Sequence, residues 1–169
     1  MSLFAPLQTG CLIAFALLLV LAAWQDLRTM HIADSVSLAI VATFAAWAVG
    51  GLVPGTLSST AIGLALVCAA IVFGAGIAAF AAGALGGGDV KLLAAASLFA
   101  GPGLIADFLL VTALAGGALG LAVLAGAPIG GPTAPVADAA IRTRLRRGLP
   151  YGPAIAAGGL WVAAALVRQ

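Results

Sequence analysis

Charge is what this 169-residue chain has least of: it contains no glutamate, one lysine, one histidine, five aspartates and six arginines. Charged residues make up 7% of the sequence, against about 25% in an ordinary soluble domain. With 64% apolar residues and a mean hydropathy of +1.25, the chain lacks the polar side chains needed to cover a water-facing surface, which excludes a soluble fold. Cysteine is also scarce. Cys11 and Cys68 lie inside apolar runs without Cys or His neighbours at metal-ligand spacing, so neither a zinc site nor a disulfide framework is indicated. The net charge of +2 is carried by few basic residues with no aromatics interleaved among them, which excludes nucleic acid as a partner. The opening MSLFAPLQTG holds no Lys or Arg, whereas a cleavable signal peptide needs a basic start, so the first apolar run is expected to be a retained helix.

What remains is an all-α, polytopic membrane helix bundle. A helix needs roughly 20 apolar residues to cross about 30 Å of hydrocarbon. Six stretches approach that length: 7–24, 36–52, 57–80, 90–100, 104–124 and 153–167. Between them stand Asp-Leu-Arg, Pro54-Gly55, Gly86-Gly87-Gly88, Gly101-Pro102-Gly103 and a polar stretch over 127–150. The fourth stretch is short, about 17 Å of helix at 1.5 Å per residue. It is therefore re-entrant, or it starts below the membrane surface with its glycine loop sunk into the protein. Charge separates these. With six crossings, Arg28, Lys91, Arg142, Arg144, Arg146 and Arg147 share one side and only Arg168 lies on the other, a strong positive-inside bias. With five, the bias collapses. Six crossings with both termini outside the cytoplasm is the expected topology. The 23 glycines, as in Gly116-Gly117-Ala118-Leu119-Gly120, predict a tight bundle of closely approaching backbones, and residues 1–169 read as one domain.

In that topology Asp26 ends the first helix and Asp89 opens the fourth, at one depth and on one side. Ionisable groups at membrane depth are costly and usually functional. Two carboxylates facing one another share a proton, so one can accept a proton from water while the other polarises a peptide carbonyl. Position alone leaves a plainer alternative: Asp26 pairs with Arg28, and Asp89 caps a helix after a glycine turn. Gly86, Gly87 and Gly88 permit backbone conformations closed to other residues and close approach of a substrate strand. No Gly-Lys-Ser/Thr element and no preceding strand pattern accompany them, so they are not a nucleotide loop.

Gly86-Gly87-Gly88-Asp89-Val90-Lys91-Leu92-Leu93 resembles the Gly-x-Gly-Asp motif of the GxGD membrane aspartyl proteases, in the extended form of type IV prepilin peptidases. Asp26-Leu27-Arg28-Thr29-Met30-His31-Ile32 resembles that family's first-aspartate segment, and Leu149-Pro150-Tyr151-Gly152-Pro153 its Pro-aromatic-Gly-Pro element opening the last helix. The resemblance implies an aspartic endopeptidase of the bacterial inner membrane, with Asp26 and Asp89 catalytic toward the cytoplasm and no metal or cofactor. It also implies a prepilin substrate, a basic leader followed by an apolar helix. Larger members carry a cytoplasmic insertion with paired cysteines and methylate the new N-terminus. This chain lacks the insertion and is similar to short, peptidase-only members of Flp-type tight-adherence systems, so no N-methyltransferase activity is expected.

Where the family has Ile-Pro-Asn, this chain has Ile32-Ala33-Asp34. The missing Pro frees the loop, and Asp34 or Ser35 is expected to cap the second helix. Lys91 has two readings of equal weight, electrostatic tuning of Asp89 or anchoring of the fourth helix. Arg28 is expected to meet anionic lipid rather than Asp26. His31, the lone histidine, reads as a surface residue. Asp107 suits the first turn of the fifth helix on the opposite surface, where the helix dipole favours a carboxylate. Asp138 has no special claim. The 142–147 arginines read as an inner-leaflet anchor, with the pilus assembly machinery as a further partner. Trp24, Trp47 and Trp161 fall near span ends, an interfacial placement. The rival from another class is a small transporter or a structural bundle subunit, in which the carboxylates serve proton relay or packing.

Overall fold

The computed structural model describes residues 4–125 and 150–168. Asp138 and the 142–147 arginines lie outside them. All regular structure among the described residues is helical: α1 (Phe4–Thr29), α2 (Asp34–Leu52), α3 (Ser59–Ala81), α4 (Gly87–Leu124) and α5 (Gly152–Val167). The first four are long and apolar enough to cross a membrane, and α5 is a shorter apolar helix of 16 residues. The chain is thus a multi-pass membrane protein. Its outer face agrees, since Leu17, Leu38, Ile71, Leu114 and Leu121 are all exposed. Lipid tails are as apolar as these side chains, so they need no burial inside the protein.

Local signals explain most helix ends. The Ser58 hydroxyl accepts the Ala61 N–H at 3.1 Å and caps α3. Pro153 near the start of α5 has no N–H to leave unpaired. The α1–α2 turn is made by Met30 in a left-handed conformation (φ 52°). It is tied down by the Gln25 side chain, whose Oε1 accepts the Ala33 N–H at 3.2 Å.

Two of the predicted segments, 90–100 and 104–124, are one 38-residue element interrupted at a single residue. Gly101 adopts φ 51°, ψ −169°, a conformation closed to residues with a Cβ, and Pro102 follows it. The chain doubles back there. Gly88 lies against Ile32, whereas Gly116 lies against Tyr151 and Ala154, and Gly152 lies against Asp26. Residues near both ends of α4 therefore share one end of the bundle, and Gly101 sits at the other. The arm 87–100 is about 21 Å long at 1.5 Å per residue. Its first residues are sunk into the protein, with Asp89 and Val90 buried.

The first arm packs against α3, where Gly76 meets Val90, and the second arm packs antiparallel to α5. At Gly158 an added Cβ would stand 2.8 Å from the Phe108 carbonyl oxygen, so the helices approach to backbone contact there. The centre is aromatic. Phe15 stacks on Phe99 at 4.1 Å between centroids, and Phe44 meets Phe99 edge-on at 5.4 Å. Trp47, expected at an interface, instead joins this cluster, 5.7 Å from Phe99. Trp24 and Trp161 are about half exposed, as interfacial residues are.

Candidate active site

Asp26 stands in the last turn of α1 and Asp89 in the first turn of α4, and both are buried, at 5% and 8% exposure. Both lie at the end of the bundle where Gly88 meets Ile32 and Gly152 meets Asp26. Each carboxylate has one oxygen fixed by a glycine amide. Asp26 Oδ2 accepts the Gly152 N–H at 2.7 Å, and Asp89 Oδ2 accepts the Gly86 N–H at 3.2 Å. Three helices thus converge on the pair, with α5 supplying the donor for a residue of α1.

The glycine segment works differently from its expected role as a loop of unusual backbone. Gly86 has ordinary extended angles (φ −78°, ψ 152°), and α4 begins at Gly87, so two of the three glycines are helical. The left-handed residue is Gly83. Closeness is what the motif provides. A Cβ on Gly86 would stand 2.8 Å from Asp89 Oδ2, and one on Gly88 would stand 3.3 Å from both the Cβ and the carbonyl oxygen of Ile32. Gly87 is less constrained, with Phe80 Cε2 its nearest neighbour at 3.7 Å. Nor is Asp89 an N-cap. It is the third helical residue, and its carboxylate reaches back to the amide of Gly86, the N-cap.

The flanking charges find other partners. Lys91 Nζ pairs with Asp34 Oδ2 at 2.7 Å across 57 positions, both side chains exposed, so its ion pair is not with Asp89. Asp34 and Ser35 do not cap α2: the N-cap is Ala33, with no side-chain cap. Asp34 is the first helical residue, where its carboxylate suits the helix dipole while reaching Lys91. Arg28 lies over the Trp24 ring, 4.2 Å from its centroid, and forms no salt bridge with Asp26 among the described residues. His31 and Asp107 are exposed, Asp107 near the Gly101 end.

The sequence match decides the family. The model of the type IV leader peptidase family matches residues 13–121. The chain belongs to that family. Residues 13–121 of this leader peptidase include both aspartates and the glycine motif, and end before Gly152. No curated protein and no solved structure matches the chain.

Gly152 is the site residue that sequence reasoning did not single out. Its signal was present in the Pro150-Tyr151-Gly152-Pro153 element. A Cβ there would stand 2.7 Å from the Asp26 Cβ, so glycine alone brings the amide to the carboxylate.

Proposed function

We propose that this leader peptidase is an aspartic endopeptidase in which Asp26 and Asp89 activate water to cut the leader from a Flp-type prepilin. The observation that carries the reading is the pair itself: two buried carboxylates from distant helices, each with one oxygen held by a backbone amide and the other left to chemistry. One carboxylate, ionised, takes a proton from water as the water oxygen bonds to the scissile carbonyl carbon. The other, protonated, hydrogen-bonds the carbonyl oxygen. Collapse of the tetrahedral species breaks the C–N bond, and the proton taken from water passes to the leaving amine. The pair titrates as a unit, so cleavage rises and falls with pH in a bell. The site faces the cytoplasm of the inner membrane, as the positive-inside count supports. The residues at the site complete this chemistry without a metal or cofactor.

The test is co-expression with a Flp-type prepilin. Asp26→Asn and Asp89→Asn each abolish leader removal while the protein still accumulates in the membrane. Continued processing by either variant excludes the pair.

A further inference from the structure

Ile32 follows Asp26 in the chain and touches the segment that carries Asp89. It is 3% exposed, and a Cβ on Gly88 would stand 3.3 Å from both its Cβ and its carbonyl oxygen. The path from one carboxylate to the other therefore runs along the α1–α2 turn to Ile32 and across to Gly88, the residue before Asp89. That turn contains Met30 in the left-handed region (φ 52°), which is costly for a residue with a Cβ and persists only where neighbours enforce it. The Met30 N–H donates to the Asp26 carbonyl oxygen at 2.9 Å, and the Thr29 hydroxyl stands 2.8 Å from the Gln25 carbonyl oxygen and 3.0 Å from that of His31. These bonds close the first half of the turn onto α1. Among the described residues only the Gln25 side chain spans the whole of it, because its Oε1 accepts the Ala33 N–H at 3.2 Å, at the N-cap of α2.

We propose that Gln25 is a positioning residue for the aspartate pair: its side chain fixes the α1–α2 turn and, through Ile32 on Gly88, sets where Asp89 stands relative to Asp26. The proposal rests on the peptidase reading above and adds a residue outside the chemical step. Three observations carry it. Gln25 immediately precedes Asp26, so the bond starts from the same helical turn as that carboxylate. It ends on Ala33, the neighbour of Ile32, so loosening it frees the residue packed against Gly88. And α2 has no side-chain cap of its own, so without Gln25 the Ala33 amide loses its partner. The angles of Ala33 (φ −66°, ψ 134°) are those that proline adopts, which supplies a rescue. A proline ring there fixes by covalent constraint what Gln25 fixes by its hydrogen bond. The ring occupies the direction of the lost N–H, so it fits once the Gln25 side chain has been removed.

Full-length Gln25→Ala and Gln25→Ala/Ala33→Pro proteins in detergent, compared with wild type by cleavage of a Flp-type prepilin and by amide hydrogen exchange, test this. Referred to the folded fraction, Gln25→Ala lowers kcat about tenfold at unchanged KM, because a shifted carboxylate slows the chemical step without touching the seat of the substrate. Its amides exchange several-fold faster over residues 29–36 and also over residues 86–90, where Asp89 Oδ2 accepts the Gly86 N–H and the Gly86 carbonyl accepts the Val90 N–H. Adding Ala33→Pro returns both kcat and the exchange over 86–90 toward the wild-type values. Faster exchange confined to 29–36 with wild-type kcat makes Gln25 a purely local fastening and overturns the proposal, as does a loss of kcat that the proline does not recover. Failure of the wild type to cleave the prepilin sinks the peptidase reading instead, and exchange over 86–90 then decides by itself whether Gln25 holds Asp89 in place.

Discussion

The amide of Gly152 donates to Asp26 Oδ2 at 2.7 Å across 126 residues of sequence. This contact ties the last helix to the end of the first and fixes one of the two buried carboxylates. It survives only without a side chain, because a Cβ at Gly152 would press on the Cβ, Cγ and Oδ2 of Asp26. Gly152→Ala therefore displaces Asp26 by a substantial fraction of an ångström, and misplacement on that scale costs about 100-fold in rate. Single-turnover cleavage checks this. A lower melting temperature, together with loss of rate in the fraction that remains folded, is the expected outcome, and full activity would mean that Asp26 is positioned by something else.

The three consecutive glycines differ in what they touch, so their alanine variants separate. Gly86→Ala crowds the Asp89 carboxylate, and Gly88→Ala crowds Ile32, the residue through which the α1–α2 turn packs on the start of α4. Each is expected to reduce cleavage by about tenfold or more, with Gly86→Ala the more severe. Gly87→Ala meets only an ordinary van der Waals contact and places a better helix former in the first turn, so activity is retained and stability rises by up to about 1 kcal/mol. Parallel assays of the three variants check the order.

The membrane bundle and the shared depth of Asp26 and Asp89 were legible because in so apolar a chain each charge constrains the topology. The short fourth stretch left two readings open by length, re-entrant or begun below the surface, and the burial of Asp89 and Val90 agrees with a start sunk into the protein. The reversal at Gly101 was marked by Gly-Pro-Gly, although one non-helical residue suffices where a loop was expected. The contact of Arg28 with Trp24 follows from their four-residue spacing on a helix. Other features left no local trace. Lys91 with Asp34, and Gly152 with Asp26, join residues on separate helices, and no periodicity within either helix says which neighbour it meets. The role of Trp47 was hidden for the same reason: a tryptophan near a span end is interfacial unless a partner such as Phe99 stands within reach.

The Lys91–Asp34 pair lies on the outside of the bundle, and exposed pairs contribute about 0–1 kcal/mol because solvent screens them and two long side chains must be ordered. Lys91→Ala is expected to lower stability by less than about 1 kcal/mol, and a double-mutant cycle with Asp34→Ala should give a coupling of the same size. Turnover at saturating substrate is retained, because the ammonium's ion-pair partner is Asp34 and not Asp89. A loss of turnover as deep as that of Asp89→Asn would mean that Lys91 acts in the chemical step.

Gly101 is the position at which backbone conformation, not space, demands glycine. Its angles lie where a Cβ is strained, yet the nearest atom to an added Cβ is that of Ala65 at 3.8 Å. Gly101→Ala therefore pays conformational strain without a clash, on the order of 1–3 kcal/mol. Gly103 is the internal control. It is helical, with nothing within 4 Å of an added Cβ, so Gly103→Ala is expected to be neutral or stabilising. Thermal unfolding in detergent separates the two. Because Gly101 lies at the far end of the bundle from Asp26 and Asp89, the fraction of Gly101→Ala that remains folded should cleave at the wild-type rate. A rate deficit in that folded fraction would mean that the turn transmits strain along the arm to Asp89.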